Sequence, residues 1–158
     1  MKFGNNEVLE VTIFDEKGMV VTTLDTLKSS NLFLDKYGVF NLIVEDALLD
    51  DKLLKFIGKH EKDNLTEFDK YLKKQKYGTT ITFNRHIDKS CKVIGKGILR
   101  ETDSCLDKEF LFEIPNAMTT TQFEFSKDLK YHDPSTFWLG FIAKPYNEEG
   151  DLLRMHIE

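Results

Sequence analysis

Hydrophobic and polar residues alternate with the period of a pleated strand over most of this chain, and short polar turns punctuate the alternation. Glu7–Phe14 alternates, Asp15-Glu16-Lys17-Gly18 supplies a turn with glycine where a positive φ is wanted, and Met19–Thr23 returns as the partner strand. The chain is therefore expected to open on a β-hairpin. Leu27–Leu34 and Phe40–Glu45, on either side of the Lys36-Tyr37-Gly38 break, read as two further strands, although Ser29-Ser30-Asn31 could bend the first. From Asp46 the period changes. Leu48, Leu49, Leu53, Phe56 and Ile57 fall near helical spacing, which predicts a short amphipathic helix or helical turn over Ala47–Ile57 ending at Gly58. A second helix is predicted to start at Asn64, with Glu67 completing a capping-box-like pair and Leu65, Phe68 and Leu72 forming one stripe. Gly78 stands just past its Lys73-Lys74-Gln75-Lys76 end, where a solvated helix terminus explains the lysines without a phosphate ligand.

Strand patterning resumes over Thr79–Arg85 and Lys92–Arg100, and in the latter Gly95 and Gly97 suggest a bulge or a close backbone approach. Lys108–Ile114 is strongly strand-like and is expected to end at Pro115, which cannot donate to a ladder. Met118–Ser126 and Ser135–Ala143 follow as strands, and Asn147-Glu148-Glu149-Gly150-Asp151 forms a last acidic turn. No repeat of solenoid period and no low-complexity linker is visible. The expectation is one antiparallel β domain over residues 1–158, with one or two short helices inserted in mid-chain.

Composition agrees with this. At 158 residues the chain can bury roughly 70% of the surface its unfolded form exposes, so it needs neither disulfide nor metal to fold. Thirteen phenylalanines point to an aromatic-rich β core. A net charge of −5 argues against a dedicated nucleic-acid reader, though not against a surface past which nucleic acid slides. The opening residues show no signal-peptide pattern and no window approaches a membrane span, so a cytoplasmic protein, or something assembled there, is expected.

Candidate chemistry changes the picture little. Cys91 and Cys105 match no zinc or redox spacing and read as structural thiols. His60, His86, His132 and His156 are scattered without a metal-site pattern. His132-Asp133 lacks a nucleophile motif, Asp50-Asp51 is explained by a solvated helix face, and Gly95-Lys96-Gly97 is only a fragment of a phosphate loop. Trp138, inside the apolar run Phe137–Ile142, reads as core, the alternative being a ligand-stacking platform with Tyr131 and Tyr146. No enzyme activity, cofactor or metal is expected.

Two stretches carry a resemblance. Val11–Gly18 through Leu24–Ser30 is similar to the opening hairpin of small virion structural proteins of tailed bacteriophages. Met118–Ser126, then Asp133-Pro134-Ser135-Thr136-Phe137, then Glu148–Met155, resembles the end of phage tail-tube-like proteins. The resemblance implies a mainly β fold, a β-sandwich or incomplete antiparallel barrel, and a subunit that stacks with itself in hexameric rings through which the genome passes. It implies residence in a virion assembled in the host cytoplasm, with sheath, baseplate or tape measure proteins as further partners, non-specific passage of DNA and no membrane. An acidic subunit suits such a conduit because like charge repels the phosphate backbone. The subunit contacts expected under it are Phe14, Lys17, Met19 and Val21 in the first hairpin, Ser30, Leu32 and Leu34 in the next segment, and Lys127, Leu129 and Tyr131 in the loop after Lys127. The alternatives are a baseplate, tail-completion or capsid-decoration protein, or a small-ligand or carbohydrate-binding β-domain.

Overall fold

A computed structural model describes residues 3–46, 51–58, 82–83, 89–126 and 136–158. In chain order the elements are β1 (Phe3–Phe14), β2 (Val20–Leu24), β3 (Leu27–Leu34), β4 (Phe40–Asp46), α1 (Asp51–Ile57), β5 (Ser90–Glu101), β6 (Asp107–Ser126), β7 (Thr136–Ala143) and β8 (Arg154–Ile157). The fold is mainly β, as the alternation predicts. The strands pair antiparallel in the order β2-β1-β5-β6-β7-β4-β3, with β8 added on β6.

Two features of the backbone turn this ladder into an incomplete barrel. The first is that β2 and β3 stand at opposite ends of the strand order yet are joined only by Asp25 and Thr26. Three Cα steps reach at most about 11 Å, so the two ends of the sheet must curl toward each other. β3 lies beside β1 without a hydrogen-bonded ladder between them, which leaves a seam. The seam's corner is tied by the Thr26 hydroxyl, which donates to the buried Asp46 carboxylate at 2.5 Å.

The second feature is the 20-residue β6. Fully extended it would span about 65 Å, whereas a compact domain of this length has a radius of gyration of about 15 Å, so the strand has to bend. It bends where its register shifts: Cys91 opposes Ala117 and Val93 opposes Ile114, so Pro115 and Asn116 face one β5 residue across a bulge. This corrects the expectation that Pro115 ends a strand. A bulge leaves backbone groups outside the ladder, so the missing N–H costs nothing there and the chain runs on. The two predicted strands are one, shared by both halves of the barrel. On one edge of β6, Glu113–Phe110 pairs with β8 and Ser126–Ala117 pairs with β7. The chain leaves that edge after Ala143 and rejoins it at Arg154. At the departure point Lys144 N–H donates to Asn116 O (2.8 Å) and Asn116 Nδ2 donates to Pro145 O (3.1 Å), so the excursion is anchored to the bulge.

The core lies between the two halves. Val11 and Ile13 of β1, Leu42 and Val44 of β4, Cys91 and Val93 of β5, Phe112 and Ile114 of β6, and Phe137, Leu139 and Phe141 of β7 are buried. Within β5 the inward positions 95 and 97 are glycines, because Phe112 and Phe110 lie opposite them and lay their rings over the bare backbone. A Cβ at Gly95 would stand 2.0 Å from Phe112 Cζ. The close approach expected of these glycines is therefore what is found, and the bulge falls instead on β1, between Val8 and Glu10. The helix is described over Asp51–Ile57, with Leu53 and Ile57 buried and Lys55 paired to Asp51 at 2.9 Å, and the first four residues of the predicted span, 47–50, lie outside the described residues. The predicted helix from Asn64 lies outside the described residues, as does the predicted strand Thr79–Arg85 apart from Thr82 and Phe83.

Candidate functional site: hairpin tips and outer faces

The two hairpins β1–β2 and β3–β4 close with the same turn, 20 residues apart in the chain. Asp15 Oδ1 accepts the N–H groups of Lys17 and Met19, both at 2.9 Å, and Asp15 N–H donates to Met19 O at 2.9 Å. Asp35 Oδ1 likewise accepts the N–H groups of Tyr37 (2.8 Å) and Val39 (3.0 Å), and Asp35 N–H donates to Val39 O at 2.9 Å. Gly18 and Gly38 occupy the left-handed position at φ 79° and 77°, which a side chain would resist. The Val39 hydrogen bond, with those of Tyr37 and Asn41, holds the Asp35 carboxyl below its usual range. Asp-x-x-Gly at a 20-residue interval was the sequence signal for this doubling, and a search for solenoid repeats passes over it because it occurs only twice.

These rigid turns present apolar side chains to solvent. Met19, Val20, Leu34 and Tyr37 each expose more than half of their surface, and Lys36 Nζ stands 5.0 Å over the Tyr37 ring. The contacts expected from the resemblance fall into groups. Met19, Leu34 and Lys17 are exposed. Val21 and Leu32 pack on the barrel's own core, and Ser30 is half-buried opposite Val44. Phe14 is half-buried on the outer face with Lys92 Nζ 5.5 Å above its ring. Lys127, Leu129 and Tyr131 lie outside the described residues. Val20 lies within the expected hairpin segment Phe14–Val21, whereas Tyr37, inside the second turn and just past the expected Ser29–Asp35 segment, was not anticipated.

The outer face of the β1-β5-β6-β8 half carries charge pairs in rows. Glu113 bridges Lys92, at 3.1 Å, and Arg154, while Arg100 meets Asp107 at 2.8 Å. Burial pushes the Glu113 carboxyl up, but its hydrogen bonds and charge contacts with Arg154 and Lys92 outweigh that and hold it below its ordinary value. Arg100 holds Asp107 low in the same way.

Other candidates resolve into structure. Gly95-Lys96-Gly97 is strand interior, not a phosphate cradle. Burial pushes the Cys91 thiol up to about 12, which keeps it protonated and unreactive, whereas Cys105 is exposed in the β5–β6 turn. His156 is exposed on β8; His60, His86, His132, Asp133 and Asp50 lie outside the described residues. Trp138, expected in the core, is half-buried on the outer face instead, because Phe137 and Leu139 take the inward positions on either side of it. It stands opposite Glu45 on β4, near the start of β7, and Tyr146 lies beyond that strand's other end. A separation of about 17 Å along the strand keeps these two from forming one stacking platform. A shallow cleft of about 420 Å³ beside the first hairpin is lined by Asp15, Glu16, Lys17, Phe56, Lys89 and Ser90, whose two anions and two cations favour no ligand charge. Among the described residues no group of three His, Cys, Asp or Glu side chains is placed to hold a metal ion, and no helix is long and apolar enough to cross a membrane. The chain matches no protein-family model and no curated protein.

Proposed function

We propose that this chain is a non-enzymatic structural subunit of a bacteriophage particle, tail-tube-like, which assembles with itself into rings, hexameric by the resemblance, that stack as a conduit for DNA. The observation that carries the reading is the pair of matched hairpin tips. Each is held rigid by an Asp cap and a left-handed glycine, and each holds large apolar side chains in water where this chain does nothing with them. Large apolar side chains held in water at the tip of a fixed turn support a contact made with another protein. Among the described residues β2 and β3 are edge strands, and their outer backbone groups are available to a neighbour as well. Work in such a particle is done by contact between copies, with sheath, baseplate or tape measure proteins as further partners, and needs no cofactor. Negative-stain electron microscopy with light scattering across a concentration series tests this. Rings or hollow tubes are expected, and species no larger than a dimer at every concentration would refute it.

A further inference from the structure

Among the described residues the strand β8 is bound on one side only, by β6. Its register on β6 is Phe110↔Ile157, Leu111↔His156, Phe112↔Met155 and Glu113↔Arg154, and Glu158 N–H donates to Glu109 O at 3.1 Å. Hydrogen-bonding direction alternates along an antiparallel strand, so Arg154, His156 and Glu158 turn their backbone groups toward β6, while Met155 and Ile157 turn theirs to the open edge. All four side chains of β8 are exposed, and Met155 and Ile157, on the side of the sheet that elsewhere forms the core, are 49% and 38% exposed.

We propose that this edge pairs with the same edge of a second copy, antiparallel about a two-fold axis at His156. The residues are self-complementary in that register and no other nearby one. Arg154 falls opposite Glu158 of the partner subunit, and Met155 falls opposite Ile157 of the partner subunit. A two-fold at Met155 sets the arginine opposite His156 of the partner subunit, and one at Ile157 sets Glu158 opposite that histidine, so neither forms the Arg154–Glu158 pair. The outward N–H and C=O groups of Met155 and Ile157 close four hydrogen bonds across the axis, the apolar pairs cover each other on one face, and two ion pairs flank His156 on the other. Arg154 already contacts Glu113, and the five donors of its guanidinium leave room for a second carboxylate. Such a contact is closed and cannot propagate, so it is separate from the ring contact proposed above and stands whether or not rings form.

The test is a single-cysteine scan on full-length protein with Cys105→Ser, Cys91 being buried. At a two-fold non-hydrogen-bonded position the two Cα atoms are about 4.5 Å apart, within disulfide reach, whereas residues two places from the axis are about 14 Å from their own copies. Mild oxidation is expected to link His156→Cys into a dimer several-fold more than Arg154→Cys or Glu158→Cys. Adding Ile157→Pro, which removes an outward N–H and the side chain facing the partner's Met155 while leaving the β6 ladder intact, is expected to bring the His156→Cys yield down to theirs. Equal yields at the three positions, or no dimer at His156→Cys with the monomer's thermal unfolding unchanged, would overturn the proposal. Rings seen without this linkage would sink it and leave the ring reading standing; the linkage without rings would do the reverse.

Discussion

Replacing Gly95 by alanine should be felt in the core by an amount the neighbouring strand sets. The new methyl carbon would lie 2.0 Å from Phe112 Cζ and 2.1 Å from Cε1, where carbon atoms settle at about 3.5–4.0 Å. Phe112 is only 1% exposed, so its ring has nowhere to swing. Overpacking of this kind costs about 1–3 kcal/mol, and the stiffer unfolded chain returns about 0.4–1 kcal/mol. A net loss of about 1.3 kcal/mol in urea unfolding, or roughly 3–5 °C in Tm for a domain of this size, is expected. Shortening the obstruction with Phe112→Leu should recover much of that loss, so that the double variant is more stable than the sum of the singles by about 1 kcal/mol or more. Gly97→Ala is a different case. Its methyl would meet the Glu7 carbonyl oxygen at 2.2 Å as well as the Phe110 ring at 2.4 Å, and the carbonyl belongs to the β1–β5 ladder. Phe110→Leu should therefore fail to rescue it. Additive behaviour at Gly95 and Phe112 would show that ring-over-backbone packing is not what requires Gly95, and full rescue at Gly97 by Phe110→Leu would show that the ring alone, and not the Glu7 carbonyl, requires Gly97.

Thiol labelling of the native protein at neutral pH should modify Cys105 and spare Cys91, with both reacting once the chain is unfolded; rapid native labelling of Cys91 would contradict its burial. The Glu113 carboxyl sits below its ordinary 4.5 in the folded chain, so its contribution is full above that pH and is lost as pH falls through the lower folded value. Urea titrations from about pH 6 to 3 should accordingly show the gap between wild type and Glu113→Gln closing on acidification, and a constant gap would argue that the Lys92 and Arg154 contacts carry no net stability. Thr26→Val, which takes a donor from the buried Asp46, should cost about 1–3 kcal/mol in the same assay, and a neutral result would mean that the β2–β3 corner does not depend on that bond.

Local pattern made most of the strands legible. Glu7–Phe14, Phe40–Glu45, Lys92–Arg100 and Ser135–Ala143 fall within or nearly on observed strands because each buries one face and therefore alternates, while Leu27–Leu34 is a strand with no buried residue, legible only from its apolar ends. Pro115 misled because its missing donor matters only inside a ladder, and whether a residue sits in a ladder or a bulge is decided by the strand opposite. Arg154–Ile157 carried no strand signal, since all four residues are exposed and only the β6 backbone makes them a strand. Trp138 reads as core from the apolar run Phe137–Ile142 around it, yet facing is set by parity, and its neighbours Phe137 and Leu139 take the inner side. The closing of the sheet was not legible locally at all. It follows from which distant strands pair, and the short Asp25-Thr26 link becomes informative only when β2 and β3 are known to be opposite ends of the order. For the candidate site, the first hairpin was found from its turn chemistry, while the exposure of Val20 and Tyr37 awaited the fold.

The passage of β6 through Pro115 also bears on how the molecule carries load. In a sandwich whose layers belong to separate strands, only side-chain contacts resist sliding of one layer over the other. Here a single covalent backbone crosses the boundary, gripped by β5 below the bend and β7 above it, and the Asn116 hydrogen bonds to residues 144 and 145 pin the crossing point. Shear between the halves must stretch that backbone or strip one of its ladders, many bonds at once. On the opposite side, among the described residues, β3 meets β1 without a ladder and the short link through Thr26 is the tether. Under tension the barrel should therefore open as a hinged shell does, along the seam, with β6 as the spine.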